Sequence, residues 1–265
     1  LDPIGDMIHV EMTEKSGVHI GNIKGYKIPE NPLKNVASVA VNALLKSHPT
    51  KNGFIINIEK KIKPGSGIGS SAASSAGTVY AINQLLNSHF DNLDLVRFSM
   101  EGENFVSGSY HADNVAPIIL GGITLVRSIS DLDIIKLPSP KSLEVVIIRP
   151  NIEIKTSDSR KVVKKKVKIE KMVQQSANLG AFISSLYSED FDLMSRSVVE
   201  EVVEPDRSML IPEFESIKKI STESGALSCG ISGSGPSIFA LSNNRLDVFD
   251  SAGASIQANI TSNCN

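Results

Sequence analysis

Residues 64–74 read Pro-Gly-Ser-Gly-Ile-Gly-Ser-Ser-Ala-Ala-Ser, and no other stretch of the chain restricts the fold as tightly. Alternating glycines turn a backbone sharply and let it approach an anion closely. The small residues that follow open an apolar run from Ala72 to Leu86, which predicts a buried helix. A glycine turn feeding a helix start offers free amides and the positive end of the helix dipole, a cradle suited to phosphate. Ser70 and Ser71 add hydroxyls at that point, and a hydroxyl can also ligate magnesium. The string is not a P-loop, because GxxxxGK[ST] is absent. It is not a dinucleotide fingerprint either, because the glycine spacing and the acidic partner are wrong. A tight turn leading into a buried helix is the plain structural alternative.

A second glycine-rich stretch, Gly-Ala-Leu-Ser-Cys-Gly-Ile-Ser-Gly-Ser-Gly-Pro, occupies 225–236 and leads into an expected strand at 238–241. Alternation predicts strands at 8–12 and 54–59, with a polar stretch containing Gly17, Gly21 and Gly25 between them. Asn35 caps an expected helix through Leu44 that Pro49 ends. Residues 118–126 read as a strand pair or a strand kinked at Gly121-Gly122, and 145–148 as a further strand. Helices are expected at 172–186, 191–203 and 214–222. Both halves mix the two element types, which predicts an α+β fold with two lobes. The polar, proline-containing stretch 132–142 places the division between 1–135 and 136–265.

Charge excludes one broad class. With 27 Lys+Arg against 29 Asp+Glu, the net charge of −2 lacks the basic excess of a nucleic-acid binder. The basic run from Arg160 to Lys171 reads as a solvated face, without the aromatic residues that stack on bases. No apolar run reaches the roughly 18 residues that span a bilayer, so no membrane partner is expected. Two cysteines, Cys229 and Cys264, suit a reducing compartment and predict a cytoplasmic protein. The five histidines lack metal-ligand spacing.

Both glycine strings, in this order, resemble the second and third motifs of the GHMP kinase superfamily. Ser107–Pro117 with Gly121-Gly122, Thr156–Arg160 and Glu204–Pro212 are similar to segments of its homoserine kinases. The resemblance implies a lobe like domain 2 of ribosomal protein S5 followed by a ferredoxin-like lobe. It implies transfer of the ATP γ-phosphoryl group to the hydroxyl of L-homoserine, a step toward threonine, with Mg²⁺ as the metal. ATP would contact Asn35 and Pro64, Gly65, Ser66, Gly67, Ile68, Gly69, Ser70, Ser71, Ala72, Ala73 and Ser74. Ser71 and Glu103 would hold the metal.

His111, Asp113, Asn114, Thr156, Arg160, Arg207 and Gly233 would meet the amino acid between the lobes. Asp113 suits the ammonium, and a guanidinium pairs bidentately with the carboxylate. Each residue keeps a structural alternative: Asn35 as a simple cap, His111 as a packed ring, Glu103 and Arg160 as surface charges. No general base is assigned, because positioning and electrostatics can carry phosphoryl transfer. A homodimer is the assembly to test. Another acceptor specificity in the superfamily, or a non-catalytic ligand- or RNA-binding relative, is the alternative function. The family's first motif, resembling Asn-Leu-Gly-x-Gly-Phe-Asp, is absent here, so about 25–30 preceding residues are expected to be missing.

Overall fold

The computed structural model describes residues 4–154 and 156–243, without the side chains of 156 and 157. Leu1, Asp2, Pro3, Cys264 and the Thr156 side chain therefore lie outside the described residues. The chain forms two compact units, one of Leu1–Pro64 and Ile68–Lys136, the other of Gly65–Gly67 and the residues from Leu137 onward. Three residues of the first glycine string thus belong with the second unit.

In the first unit, β1 (Met7–Thr13), β2 (Val18–Gly25), α1 (Val36–Ser47) and β3 (Gly53–Lys60) come first. β3 is central, antiparallel to β1 and parallel to β2. Strand alternation turns Phe54, Ile56, Ile58 and Lys60 to the buried side. Helices α2 (Ser70–Leu85) and α3 (Asn92–Ser107) complete the core with α1. Ala37, Ala40, Val41 and Leu44 of α1 meet Val79 and Ile82 of α2 and Leu95 of α3 there. β2 is the strand that the polar stretch concealed. A Cβ at Gly21 would lie 2.4 Å from Asn57 Oδ1, and one at Gly25 2.2 Å from the Lys60 carbonyl oxygen. Close approach to β3 therefore removes the side chains that would have signalled a strand.

The expected strand at 118–126 is corrected. Val115–Leu120 form a short helix, α4, with Pro117 tolerated in its first turn, and Gly121 and Gly122 turn the chain at positive φ into β4 (Ile123–Ser128). β4 pairs with β5 (Asp133–Leu137), so the stretch expected as a linker carries a strand.

The second unit holds β6 (Leu143–Ile148), α5 (Thr156–Lys161), α6 (Ile169–Ser188), α7 (Phe191–Ser197), α8 (Glu204–Arg207), α9 (Phe214–Glu223), β7 (Ser228–Ile231) and β8 (Ile238–Asn243). Its sheet has the order β6-β8-β7, antiparallel throughout. Ile211, Phe214 and Ile217 pack on Cys229, Ile238 and Ala240. The helix expected over 191–203 ends at Ser197. The Glu200 carboxylate accepts hydrogen bonds from the amides of Val202, Val203 and Glu204 and starts α8 instead.

Candidate active site

The first glycine string adopts the left-handed conformation at all three glycines, with φ of 71°, 82° and 73° at Gly65, Gly67 and Gly69. Gly69 is the N-cap of α2, so no side chain caps that helix, and its first turn carries no acidic residue. The leading amides of α2 are thus left for an external acceptor. The middle of the string is clasped by the second string. Ser232 Oγ donates to the Gly67 carbonyl at 2.9 Å, and the Ser237 amide donates to the Ser66 carbonyl at 3.2 Å.

Beneath the string lies a buried ion pair. Lys60 continues the inward face of β3, so its ammonium is delivered into the unit, where Asp6 meets it. The side chains are 2% and 1% exposed. Lys60 Nζ also donates to the Ser70 carbonyl and to Ser74 Oγ. Asp6 accepts in addition from the amides of Lys61 and Ile62, both at 3.0 Å. Burial pulls the Lys60 pKa down, against the bond to Asp6 and the charges of Asp6 and Glu103. The pair braces the first turn of α2. Replacing Lys60 by methionine should cost about 3–5 kcal/mol, because Asp6 is left charged and buried without its cation. The double variant Asp6→Asn/Lys60→Met should recover most of it in urea unfolding.

Glu103 on α3 faces the same turn and is 7% exposed. The Ser71 hydroxyl hydrogen-bonds to its carboxylate, while Oε1 has no partner. Burial pushes the carboxyl up from its usual range; the Ser71 bond opposes this, Asp113 reinforces it, and Lys60 opposes it. A buried carboxylate oxygen without a partner, beside a hydroxyl, fits one hard divalent cation. Among the described residues no cluster of three or more His, Cys, Asp or Glu could hold a metal alone. The fit is therefore to an ion whose other ligands are phosphates and water. Asn114, the N-cap of α4, makes no capping bond with its side chain. Instead its Oδ1 lies 3.0 Å from where a Cβ on Gly69 would be. Asp113 is exposed, and His111 Nε2 sits 2.8 Å from Ser109 Oγ.

In the second unit Arg207 Nη1 donates to the Gly233 carbonyl at 2.9 Å. Burial lowers its pKa; Glu200 opposes this and the Arg160 charge adds to it. Two guanidinium groups that repel each other favour an anion beside them. Asp206 instead pairs with Lys164, at 3.1 Å.

Family models place GHMP kinases N terminal domain over residues 35–122 and GHMP kinases C terminal over 182–251. A homoserine kinase of Chlorobium phaeobacteroides is 38% identical over 254 residues, covering 92% of this chain and 79% of its own. One from Methanococcus maripaludis is 37% identical over 238 residues, covering 89% and 78%. The chain belongs to the GHMP kinase family, among its homoserine kinases. The crystal structure of homoserine kinase from Cytophaga hutchinsonii superposes with a TM-score of 0.90 at 41% identity, covering 96% of this chain and 84% of that one. The crystal structure of L. major mevalonate kinase, at 17% identity and a TM-score of 0.73, shares the fold.

Within this GHMP kinase the first unit brings Ser71, Glu103, Asn114 and Gly69 together, and the second brings Arg160, Arg207 and Gly233 together. Asn35 is corrected. It is fully buried, its Oδ1 accepts from the Ala37 amide at 3.0 Å, and its Nδ2 donates to the Pro29 carbonyl at 2.6 Å. Both ends of the amide are used, so it is a cap and offers ATP nothing. Ser70 and Ser74 are likewise turned inward, onto the Ile62 carbonyl and Asp6, which leaves Ser71 as the outward hydroxyl. Sequence reasoning missed Asp6 and Lys60. The alternation of β3, carried two residues past Ile58, was the available signal for Lys60.

Proposed function

We propose that this GHMP kinase phosphorylates L-homoserine with ATP, yielding O-phospho-L-homoserine and ADP, and works in the cytoplasm as a step toward threonine. The observation that carries the reading is the uncapped start of α2 beside Glu103, whose Oε1 lacks a partner. The α2 amides and the backbone of residues 64–71 would receive the ATP phosphates. Ser71 and Glu103 would hold Mg²⁺, which when bound neutralises charge on the phosphate oxygens. Asn114 would present its amide beside Gly69, at the place where the phosphates arrive. Asp113 and His111 would receive the ammonium end of the acceptor, and Arg160 and Arg207, beside Gly233 and the start of α5 at Thr156, its carboxylate. Held in line, the acceptor oxygen bonds to the γ-phosphorus as the bridging P–O bond breaks. The hydroxyl proton passes to phosphate or water. No side chain is needed as base, because orientation and charge stabilisation supply the rate.

ADP release from the full-length protein, measured with homoserine, mevalonate, shikimate and galactose as acceptors, tests the reading. Turnover with homoserine alone is expected; turnover with another acceptor and none with homoserine would reject it. Arg207→Ala should raise the homoserine KM about 10–150-fold, the loss of a charge-assisted pair of 1.5–3 kcal/mol, with the ATP KM unchanged. Arg207→Lys should recover only part, since an ammonium cannot reproduce the fork. An unaltered homoserine KM in the alanine variant would leave Arg207 only its bonds to the Ser159 and Gly233 carbonyls.

A further inference from the structure

Two neighbouring carbonyls of the second glycine string are held by side chains from different elements of the same unit. Arg207, at the end of α8, donates from Nη1 to the Gly233 carbonyl at 2.9 Å. Ser159, on α5, donates from Oγ to the Ser234 carbonyl at 2.8 Å. The two holders also meet each other, because Arg207 Nε reaches the Ser159 carbonyl at 3.5 Å. The same string clasps the first one through Ser232 Oγ and the Ser237 amide. The Ser66 and Ser237 hydroxyls are buried at that clasp and have no partner among the described residues, so neither reinforces it.

The two holds respond differently to an anion. Arg207 is half-buried and charged, and a carboxylate is a stronger acceptor for a guanidinium than a neutral carbonyl is. An acceptor carboxylate bound at Arg207 therefore draws Nη1 away from Gly233. The Ser159 hydroxyl is neutral, and its residue is fully buried. A bound carboxylate finds no charge there to attract and no path to reach it. The bond to Ser234 is the one that survives.

We propose that Ser159 is a positioning residue, which keeps the second string and its clasp on Gly67 in place when the acceptor's carboxylate takes Arg207 from Gly233. The inference rests on the phosphoryl-transfer reading above. Without acceptor, Arg207 and Ser159 hold the string together, and either suffices. With acceptor bound, Ser159 holds it alone. Removing its hydroxyl then turns acceptor binding into loss of the phosphate cradle. The two ligands become antagonists, and by linkage each weakens the other by the same factor.

Calorimetry of the full-length protein with Mg²⁺ and a non-hydrolysable ATP analogue, with and without saturating L-homoserine, tests this. In the wild type, homoserine should leave the analogue's affinity unchanged or tighter. Without homoserine, Ser159→Ala should bind the analogue within about 2-fold of wild type. With homoserine, it should bind about 5–10-fold more weakly, the worth of one hydrogen bond. In turnover, the ATP KM at saturating homoserine should rise by the same factor, with kcat changed less. Ser159→Thr keeps the hydroxyl and should restore the wild-type pattern, whatever its extra methyl costs in stability. Ser232→Ala removes the clasp itself and should weaken the analogue equally in both conditions. Equal weakening in Ser159→Ala with and without homoserine would make the residue merely structural and overturn the proposal. So would no weakening in either condition. Wild-type turnover separates the two readings. Phosphorylation of homoserine, with no antagonism in Ser159→Ala, rejects the role of Ser159 alone. No turnover with homoserine rejects the phosphoryl-transfer reading and this proposal with it.

Discussion

Gly67→Val should abolish binding of a non-hydrolysable ATP analogue in calorimetry. The cause is interlocking of the two glycine strings. At φ +82° a Cβ on residue 67 would stand 2.5 Å from the Gly235 carbonyl oxygen and 2.8 Å from that of Ser232. Both obstacles are backbone, so neither can rotate away. A β-branched residue adds its own cost at positive φ. Either the string leaves its position or the second string yields, and the Ser232 bond to the Gly67 carbonyl is lost in both cases. Gly108→Ala is the matched control. Gly108 has φ +72° and nothing within 4 Å of its Cβ position. That variant should lose about 1–2 kcal/mol of stability from backbone conformation alone and bind the analogue normally. Unchanged affinity in a folded Gly67→Val protein would reduce the string to a turn.

The part of this site that sequence made legible is the part built from backbone. Glycine spacing announces a chain that must run at positive φ, and residues 65, 67 and 69 do so; at 67 the neighbouring backbone also leaves no room for a Cβ. Side-chain roles were harder to read. Ser70, Ser71 and Ser74 look alike in a string, yet the 100° step of a helix sends them to different neighbours, and only Ser71 reaches Glu103. Asp6 lies 54 positions from Lys60, so no local pattern could pair them. Glycine also hid a strand, because in β2 the residues that permit close approach are those that erase alternation. Arg207 was legible as a cation near a glycine loop, but its hold on the Gly233 carbonyl was not, since 26 residues separate them.

Glu103→Gln should lower kcat at least about 10²-fold while changing ATP affinity less, and should stabilise the nucleotide-free protein at neutral pH. The first effect follows from losing a charged oxygen where charge builds on the transferring phosphoryl group. Raising Mg²⁺ should restore part of the rate, because some of the loss is occupancy. The second effect follows from burial, which raises the carboxyl above its ordinary 4.5 against the pull of Ser71 and Lys60. Between 4.5 and that raised value the native state holds a proton that the unfolded chain has released. Stability therefore falls as pH rises through the window. Glutamine does not titrate, so the melting-temperature gap between variant and wild type should be smallest below 4.5, widen through the window and level off above it. Mg²⁺ with an ATP analogue should narrow the gap at neutral pH, because it stabilises the wild type more. A variant with full kcat at low Mg²⁺ would remove Glu103 from the metal. A gap independent of pH would mean that its carboxylate is not under strain. Both effects together would identify a carboxylate held ionised at a cost in stability because the bound metal needs its charge.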